Sequence, residues 1–85
     1  MFPYLQLGSF GEAVRGMQAA LNKLPTSLAQ LKEDAQFGSK THARVHEFQG
    51  QHNLSQDGVA GPLTLGALEE AVKLIMQIGF PPAEE

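Results

Sequence analysis

Apolar residues recur at helical spacing in three separate stretches of this chain. In the first stretch, Val14, Met17 and Leu21 fall on one side when successive residues are rotated by about 100°. The other two stripes are Thr41, Val45, Phe48 and His52, and then Thr64, Leu65, Leu68, Ala71, Val72 and Ile75. No segment alternates between apolar and polar residues as a half-buried strand would. The pattern predicts an all-α fold, a small three-helix bundle.

Capping and breaking residues indicate where the first helix begins and ends. Ser9 and Glu12 have the spacing of a capping box, so the helix is expected to begin there, with Phe10 at its entry. Pro25 should end it near Leu24. The segment from 25 to 34 fits either a short helical turn or a loop that covers the bundle.

Glycines mark the expected starts of the other two helices. Gly38 precedes the second helix, which should end near Gln51 with Asn53 as a left-handed terminator. Gly61 precedes the third helix. Pro62 suits the first helical position, because its missing N–H costs nothing there.

Two octapeptides share the pattern D-x-x-x-G-x-x-T, at residues 34–41 and 57–64, and each stands before a predicted helix. A second repeated motif, V-x-x-Φ-Q with Φ apolar, ends at Gln18 and at Gln49. Glycine lets the backbone change direction, and an aspartate in such a turn accepts backbone N–H groups. A structural role for the aspartates is favoured over catalysis. The residues expected to hold these turns are Asp34, Gly38, Asp57, Gly58 and Gly61.

Size and charge narrow the class of protein. The 85 residues suit one domain, expected over 1–80, with 81–85 as a frayed C-terminal tail. There is no cysteine, so disulfides and thiolate metal sites are excluded. The net charge of −3 argues against nucleic acid as a partner. No apolar run reaches the roughly 18 residues of a membrane span, and the N-terminus lacks the features of a signal peptide.

The ordered set of motifs resembles peptidoglycan-binding domain family 1, a three-helix module appended to bacterial cell-wall hydrolases and related envelope proteins. The motifs are L-G-S-x-G-x-x-V-x-x-M-Q-x-x-L from residue 7, F-G-x-x-T-x-x-x-V-x-x-F-Q from residue 37, and L-x-x-D-G-V-x-G-x-x-T-x-x-x-L from residue 54. The chain departs from the family pattern in three places. Ala35 replaces the usual glycine and the segment from 21 to 34 is longer, and these two departures bear on loop shape. His52 is unusual before Asn53.

The resemblance implies a non-catalytic module that binds peptidoglycan, through the peptide stem or the glycan–peptide junction, and targets an associated activity to the wall. The candidate ligand-binding residues cluster around the two turns and are Phe37, Thr41, Gln49, His52, Asp57 and Thr64. His52 fits either a partly buried residue at the helix end or a contact at the rim of a groove. A basic patch of Lys40 and Arg44 would be needed to attract an anionic polymer.

The sequence contains no recognisable set of catalytic residues. His42 and His46 stand one helical turn apart, but zinc hydrolysis needs at least three protein ligands. The chain has no cysteine nucleophile and no serine in a glycine-flanked elbow. We therefore expect no enzymatic activity, no metal and no cofactor.

The alternative function is a protein–protein docking or adaptor domain, for example of a secreted effector. An exposed apolar patch including Leu63, Leu74, Ile78 and Phe80 would favour it. The resemblance implies a location in the bacterial cell envelope or outside the cell. We expect a monomer, with no membrane insertion and with a fused catalytic domain or a protein partner.

Overall fold

Three helices, each directly after a glycine, build the domain. The computed structural model describes residues 4–79, with side chains through residue 76. The helices are α1, Glu12–Asn22, α2, Ser39–Gln51, and α3, Pro62–Gly79. The predicted all-α three-helix architecture is confirmed, and α2 and α3 begin where the glycines indicated. The expected tail, 81–85, lies outside the described residues.

The capping box expected at the start of α1 does not form. Gly11 is the N-cap residue, and no side chain caps the first turn. The Ser9 hydroxyl instead accepts a hydrogen bond from the backbone N–H of Gln6 at 3.0 Å, closing a turn before the helix. Phe10, expected at the entry of the helix, is 80% exposed and precedes the N-cap. The expectation of a capping box was wrong because backbone pairing holds this segment outside the helix.

The segment of residues 5–11 runs across both repeated turns. Leu5 and Ala60 exchange two backbone hydrogen bonds, at 3.0 and 2.8 Å. Further along, the Phe37 N–H donates to the Ser9 carbonyl at 2.9 Å, and the Gly11 N–H donates to the carbonyl of residue 35 at 2.9 Å. These contacts are isolated antiparallel bridges, and residues 4–79 contain no extended strand. The segment therefore ties the two turns to one another.

The core lies between the apolar stripes of the helices. Its fully buried centre includes Val14, Leu21 and Val45, each at most 1% exposed. Leu5, Met17, Leu24, Leu31, Phe37, Phe48, Ala60 and Leu68 complete it. Among the described helices, none combines the length and the apolar content that a membrane span requires.

The segment from 25 to 34 is a loop that covers one side of the bundle. Asn22 holds it with two hydrogen bonds to the backbone of Leu31, donating at 2.9 Å and accepting at 2.8 Å. Leu31 is buried and Leu28 is not. Glu47 of α2 accepts a hydrogen bond from the Thr26 hydroxyl at 2.6 Å. The loop is thus packed against both α1 and α2.

Asn53 ends α2 in the left-handed conformation, with φ 57°, as predicted. The N–H of Leu54 donates to the carbonyl of Gln49 at 2.8 Å, and the N–H of Asn53 lies 3.4 Å from the carbonyl of Gly50. This is the Schellman arrangement of a helix C-terminus. It turns the chain back so that Leu54 packs against the core.

Candidate functional site

A buried glutamine holds each repeated turn. We call residues 34–41 the first turn and 57–64 the second turn. The Gln18 amide nitrogen lies 3.2 Å from Asp34 Oδ1, 2.9 Å from the Gln36 carbonyl and 3.1 Å from Thr41 Oγ1. Its amide oxygen accepts the Ala35 N–H at 3.0 Å. One side chain from α1 therefore satisfies the beginning, middle and end of the first turn.

The second turn repeats this arrangement atom for atom. The Gln49 amide nitrogen lies 3.0 Å from Asp57 Oδ1, 3.0 Å from the Val59 carbonyl and 3.1 Å from Thr64 Oγ1. Its oxygen accepts the Gly58 N–H at 2.9 Å. The two repeated motifs of the sequence thus form one structural unit, because the glutamine of each V-x-x-Φ-Q motif binds a D-x-x-x-G-x-x-T turn.

The two aspartates are solvent-exposed residues whose inner oxygens are fully used. Asp34 Oδ1 accepts the backbone N–H of Gln36 at 3.0 Å, and Asp57 Oδ1 accepts that of Val59 at 3.0 Å. These backbone bonds, followed by the glutamine amides, lower the pKa of both carboxyl groups. Both remain ionised near neutral pH and place a negative charge at each turn.

Ala35 adopts the same backbone conformation as its counterpart Gly58. Their φ angles are 65° and 73°, so the alanine does not change the shape of the turn as its departure from the family pattern suggested. A Cβ on Gly58 would lie 2.1 Å from Nε2 of His42, whereas Ala35 carries its Cβ in place. A Cβ on Gly61 would lie 2.4 Å from the ring of Tyr4. Close packing therefore favours glycine at both positions of the second turn, and the positive φ favours it at Gly58 as well.

A groove opens beside each turn. The first-turn groove has a volume of about 450 Å³ and is lined by Gln18, Gln30, Leu31, Lys32, Asp34, Gln36, Gly38, Ser39, Lys40 and Thr41. The second-turn groove has a volume of about 340 Å³ and is lined by Tyr4, Gln49, Leu54, Ser55, Asp57, Val59, Gly61, Pro62, Leu63 and Thr64. The matching positions of the repeat thus face matching depressions of the surface.

Four of the six candidate ligand-binding residues are interior residues. Phe37, Thr41, Gln49 and Thr64 are between 1 and 6% exposed. Their side chains form the core and the hydrogen bonds inside the turns. Thr41, Gln49 and Thr64 line the grooves from this buried position, with almost none of their surface exposed.

The other two candidates are exposed but lie apart. Asp57 lines the second-turn groove. His52 is at the C-terminus of α2, stacks on Phe48 with ring centroids 4.1 Å apart, and lines an apolar groove with Leu24 and Leu74. The structure therefore does not bring His52 together with the turns.

Three exposed residues at the turns were missed from the sequence. Tyr4 is 55% exposed beside the second turn, and Phe10 is 80% exposed beside the first turn, where it pairs with Gln36. Lys32 lines the first-turn groove with Lys40. Arg44, which a basic patch with Lys40 would require, is 2% exposed; its guanidinium donates to the Leu21 carbonyl and lies 3.6 Å from the Glu47 carboxylate. Tyr4 and Phe10 could have been found from the sequence, because both are aromatic residues in a predicted non-helical N-terminal segment.

The histidine pair of α2 does not assemble a metal centre. The His42 and His46 rings have centroids 6.4 Å apart, and His42 packs against Gly58. Within the part of the chain that the structure describes, no three histidine or acidic side chains converge on a common point. The site's chemistry is therefore that of hydrogen bonding, charge and aromatic contact.

The fold and the paired grooves define a small helical binding module. Residues 10–68 match the family described as "Putative peptidoglycan binding domain". The chain belongs to this family, as its motifs indicated, and is a cell-wall-binding module.

Similar proteins carry the domain in different settings. The zinc D-Ala-D-Ala carboxypeptidase of Streptomyces albus G is 45% identical over 64 residues, covering 75% of this chain and 25% of that protein. The type VI secretion system spike protein VgrG3 of Vibrio cholerae is 34% identical over 76 residues, covering 76% of this chain and 8% of that protein. The SleB N-terminal domain superposes with a TM-score of 0.74 at 32% identity, covering 81% of this chain and 92% of that chain. The chain thus spans a small part of the two longer relatives.

Proposed function

We propose that this peptidoglycan-binding domain contacts the bacterial wall with the surface formed by the two turns and their grooves, and that it does so without catalysis. The observation that carries this proposal is the repeated glutamine–aspartate–threonine arrangement. Buried hydrogen bonds hold the turn backbones in place before any ligand arrives. A pre-organised surface loses little conformational entropy on binding, which favours recognition of a flexible polymer.

Tyr4 and Phe10 supply the apolar contacts in this proposal. Each ring is more than half exposed and stands beside one turn. Aromatic side chains give a large, rigid contact area with few rotatable bonds, and they suit sugar faces and alanine methyl groups alike. Phe10, at 80% exposure, leaves most of its ring free for such a contact. Contact with the wall would explain this exposure.

The predicted site residues divide into two roles under this proposal. Thr41, Gln49 and Thr64 shape the turns from inside, and Phe37 supports the first turn from the core. Asp57 presents its carboxylate in the second-turn groove. His52 would meet the wall only at the margin of the contact, since it lines a different groove.

The proposal also covers the ligand, the oligomeric state and the associated activity. We infer that the ligand is the peptide stem or its junction with the glycan, and that the domain works as a monomer in the cell envelope or after secretion. Targeting of an associated activity fits the carboxypeptidase relative, in which this domain matches only a quarter of the protein. Weak binding suffices for such a module, because a tether raises the local concentration of its partner at the wall.

The test is co-sedimentation of the purified chain with insoluble peptidoglycan. Phe10→Ala and Tyr4→Ala are compared with Leu28→Ala, which trims an exposed apolar residue of the 25–34 loop. Loss of a stacking contact should weaken binding by about 3- to 10-fold in the first two variants and leave the third unchanged. Thermal melting checks that each variant is folded. A folded wild-type chain that does not sediment would refute wall binding, and equal effects of all three variants would refute the assigned surface.

A second candidate function is docking to a protein partner. Leu63 and Leu74 of α3 are 78 and 50% exposed, and Leu74 lines an apolar groove with Leu24 and Pro25. The 25–34 loop therefore does not cover these leucines; the side chains of Ile78 and Phe80 lie outside the described set. The similarity to a secretion spike protein favours this candidate. Leu74→Glu should leave wall binding intact under the first proposal. Loss of a partner contact without loss of sedimentation would support docking.

A further inference from the structure

The two grooves occupy equivalent positions of the repeat, but three of the matched positions differ in polarity. Where the first turn has Gln36, Ser39 and Lys40, the second turn has Val59, Pro62 and Leu63. All six side chains line their respective grooves. The positions that differ are therefore polar or basic at one turn and apolar at the other.

Charge follows the same division. Lys32 and Lys40 both line the first-turn groove, together with the Asp34 carboxylate. The second-turn groove contains the Asp57 carboxylate and neither lysine nor arginine. In a chain of net charge −3, the first-turn groove is a local basic site.

We propose that the first-turn groove binds a carboxylate of the peptidoglycan peptide stem, between Lys32 and Lys40, while the second-turn groove takes an uncharged portion of the wall. This inference rests on the proposed function and specifies which chemical group the surface recognises. The stem peptide is the carboxylate-rich part of the polymer, whereas its glycan offers mainly hydroxyl and amide groups.

The Asp34 carboxylate offsets the two lysines only in part, although Lys32 is among the groups that lower its pKa. Its Oδ1 faces inward and is bound by the Gln36 N–H and the Gln18 amide. Among the side chains that the structure describes, no carboxylate oxygen lies within 4.0 Å of the Lys32 or Lys40 ammonium. Both lysines are exposed and belong to separate elements, the loop before the turn and the first turn of α2. A carboxylate between them would gain two charge-assisted hydrogen bonds.

The experiment compares two variants that lose the same number of charges. One is Lys32→Gln/Lys40→Gln, and the control is Lys23→Gln/Lys73→Gln, at exposed lysines outside both turn grooves. Each is titrated against untreated peptidoglycan, against peptidoglycan whose carboxylates are converted to amides, and against peptidoglycan stripped of phosphate-bearing polymers. Melting temperatures verify folding.

The proposal predicts that the groove variant binds untreated wall about tenfold more weakly than wild type, while the control changes less than twofold. Amidation should weaken wild type by the same factor and leave the groove variant unaffected. Removal of the phosphate-bearing polymers should change the affinity of neither the wild type nor the groove variant. If neither amidation of the wall nor the Lys32→Gln/Lys40→Gln change weakens binding, the carboxylate site is refuted and wall binding itself still stands. Loss on phosphate removal would assign the lysines to a phosphate polymer instead. No binding by wild type would remove the proposed function, and this site with it.

Discussion

The matched pair of Ala35 and Gly58 offers a direct test of the repeat. Both residues have a positive φ, at 65° and 73°, and both donate their N–H to the glutamine of their turn. An L-residue in this conformation costs roughly 1–2 kcal/mol. Glycine avoids that cost but gains unfolded-state entropy worth about 0.4–1 kcal/mol. Ala35→Gly should therefore stabilise the domain by about 0.5–1 kcal/mol.

The reverse substitution, Gly58→Ala, should lower the free energy of unfolding by more than Ala35→Gly raises it. Gly58→Ala adds the conformational cost and also brings a Cβ to 2.1 Å from His42 Nε2, so the ring must move. We expect a loss of about 2 kcal/mol. In a His42→Ala background the loss should shrink toward the conformational cost alone. Such a double-mutant cycle separates collision from backbone strain.

Urea and thermal denaturation measure these effects. For a domain of this size, 1 kcal/mol corresponds to a shift of roughly 4–8 °C in the melting temperature. Ala43→Gly is the control, because it makes the same substitution at an exposed position inside α2 and should destabilise by about 1 kcal/mol. The reasoning fails if Ala35→Gly lowers the melting temperature as Ala43→Gly does. Equal effects at the two turns would also contradict it.

Three other perturbations test the buried polar groups. Gln49→Glu replaces the donors to Asp57 and Thr64 with a carboxylate, and should destabilise by roughly 3 kcal/mol in urea denaturation; a loss below about 1 kcal/mol would mean that the amide does not hold the turn. Arg44→Met removes the hydrogen bond from Arg44 Nη2 to the Leu21 carbonyl and the ion pair between Arg44 Nε and Glu47, 3.6 Å apart, and should destabilise by roughly 1–3 kcal/mol in melting experiments; an unchanged melting temperature would contradict this. The folded-state pKa values of Asp34 and Asp57 are depressed, so their stabilising effect is complete above the unfolded pKa of about 3.9 and is lost as the pH falls through the folded values. Unfolding free energy measured from pH 7 to pH 2 should fall less steeply on the acid side in Asp34→Asn/Asp57→Asn than in wild type, and identical slopes would refute this role.

Periodicity and turn chemistry were sufficient to predict the helices, because those signals are local. Gly38, Pro62 and Asn53 lie where the sequence placed the helix ends. The capping box failed because Ser9 belongs to a segment whose conformation depends on pairing with residues far along the chain. A long-range constraint of that kind leaves no mark in the spacing of nearby residues.

The partnership between glutamines and turns was also invisible in the sequence. Gln18 is 16 residues from its aspartate, whereas Gln49 is 8 residues from its own. The two motifs recur, but the distance between them does not, so spacing alone gives no reason to pair them. The burial of Arg44 was likewise not visible in the sequence. A charged residue beside an apolar stripe is ordinarily solvated, whereas Arg44 is 2% exposed and donates to the Leu21 carbonyl of α1.

The structure separates the residues that hold the turns from those that line the grooves. Each turn is held by a buried glutamine and threonine together with an inward aspartate oxygen, and these residues are identical in the two copies. The side chains between them line the grooves and differ in every case at 36/59, 39/62 and 40/63. Since the internal hydrogen bonds use the backbone at 36 and 59 rather than their side chains, those side chains can change without loss of the turn. One scaffold can therefore hold two surfaces of different chemistry. A copied motif with divergent groove residues fits a single molecule that meets two different parts of one polymer.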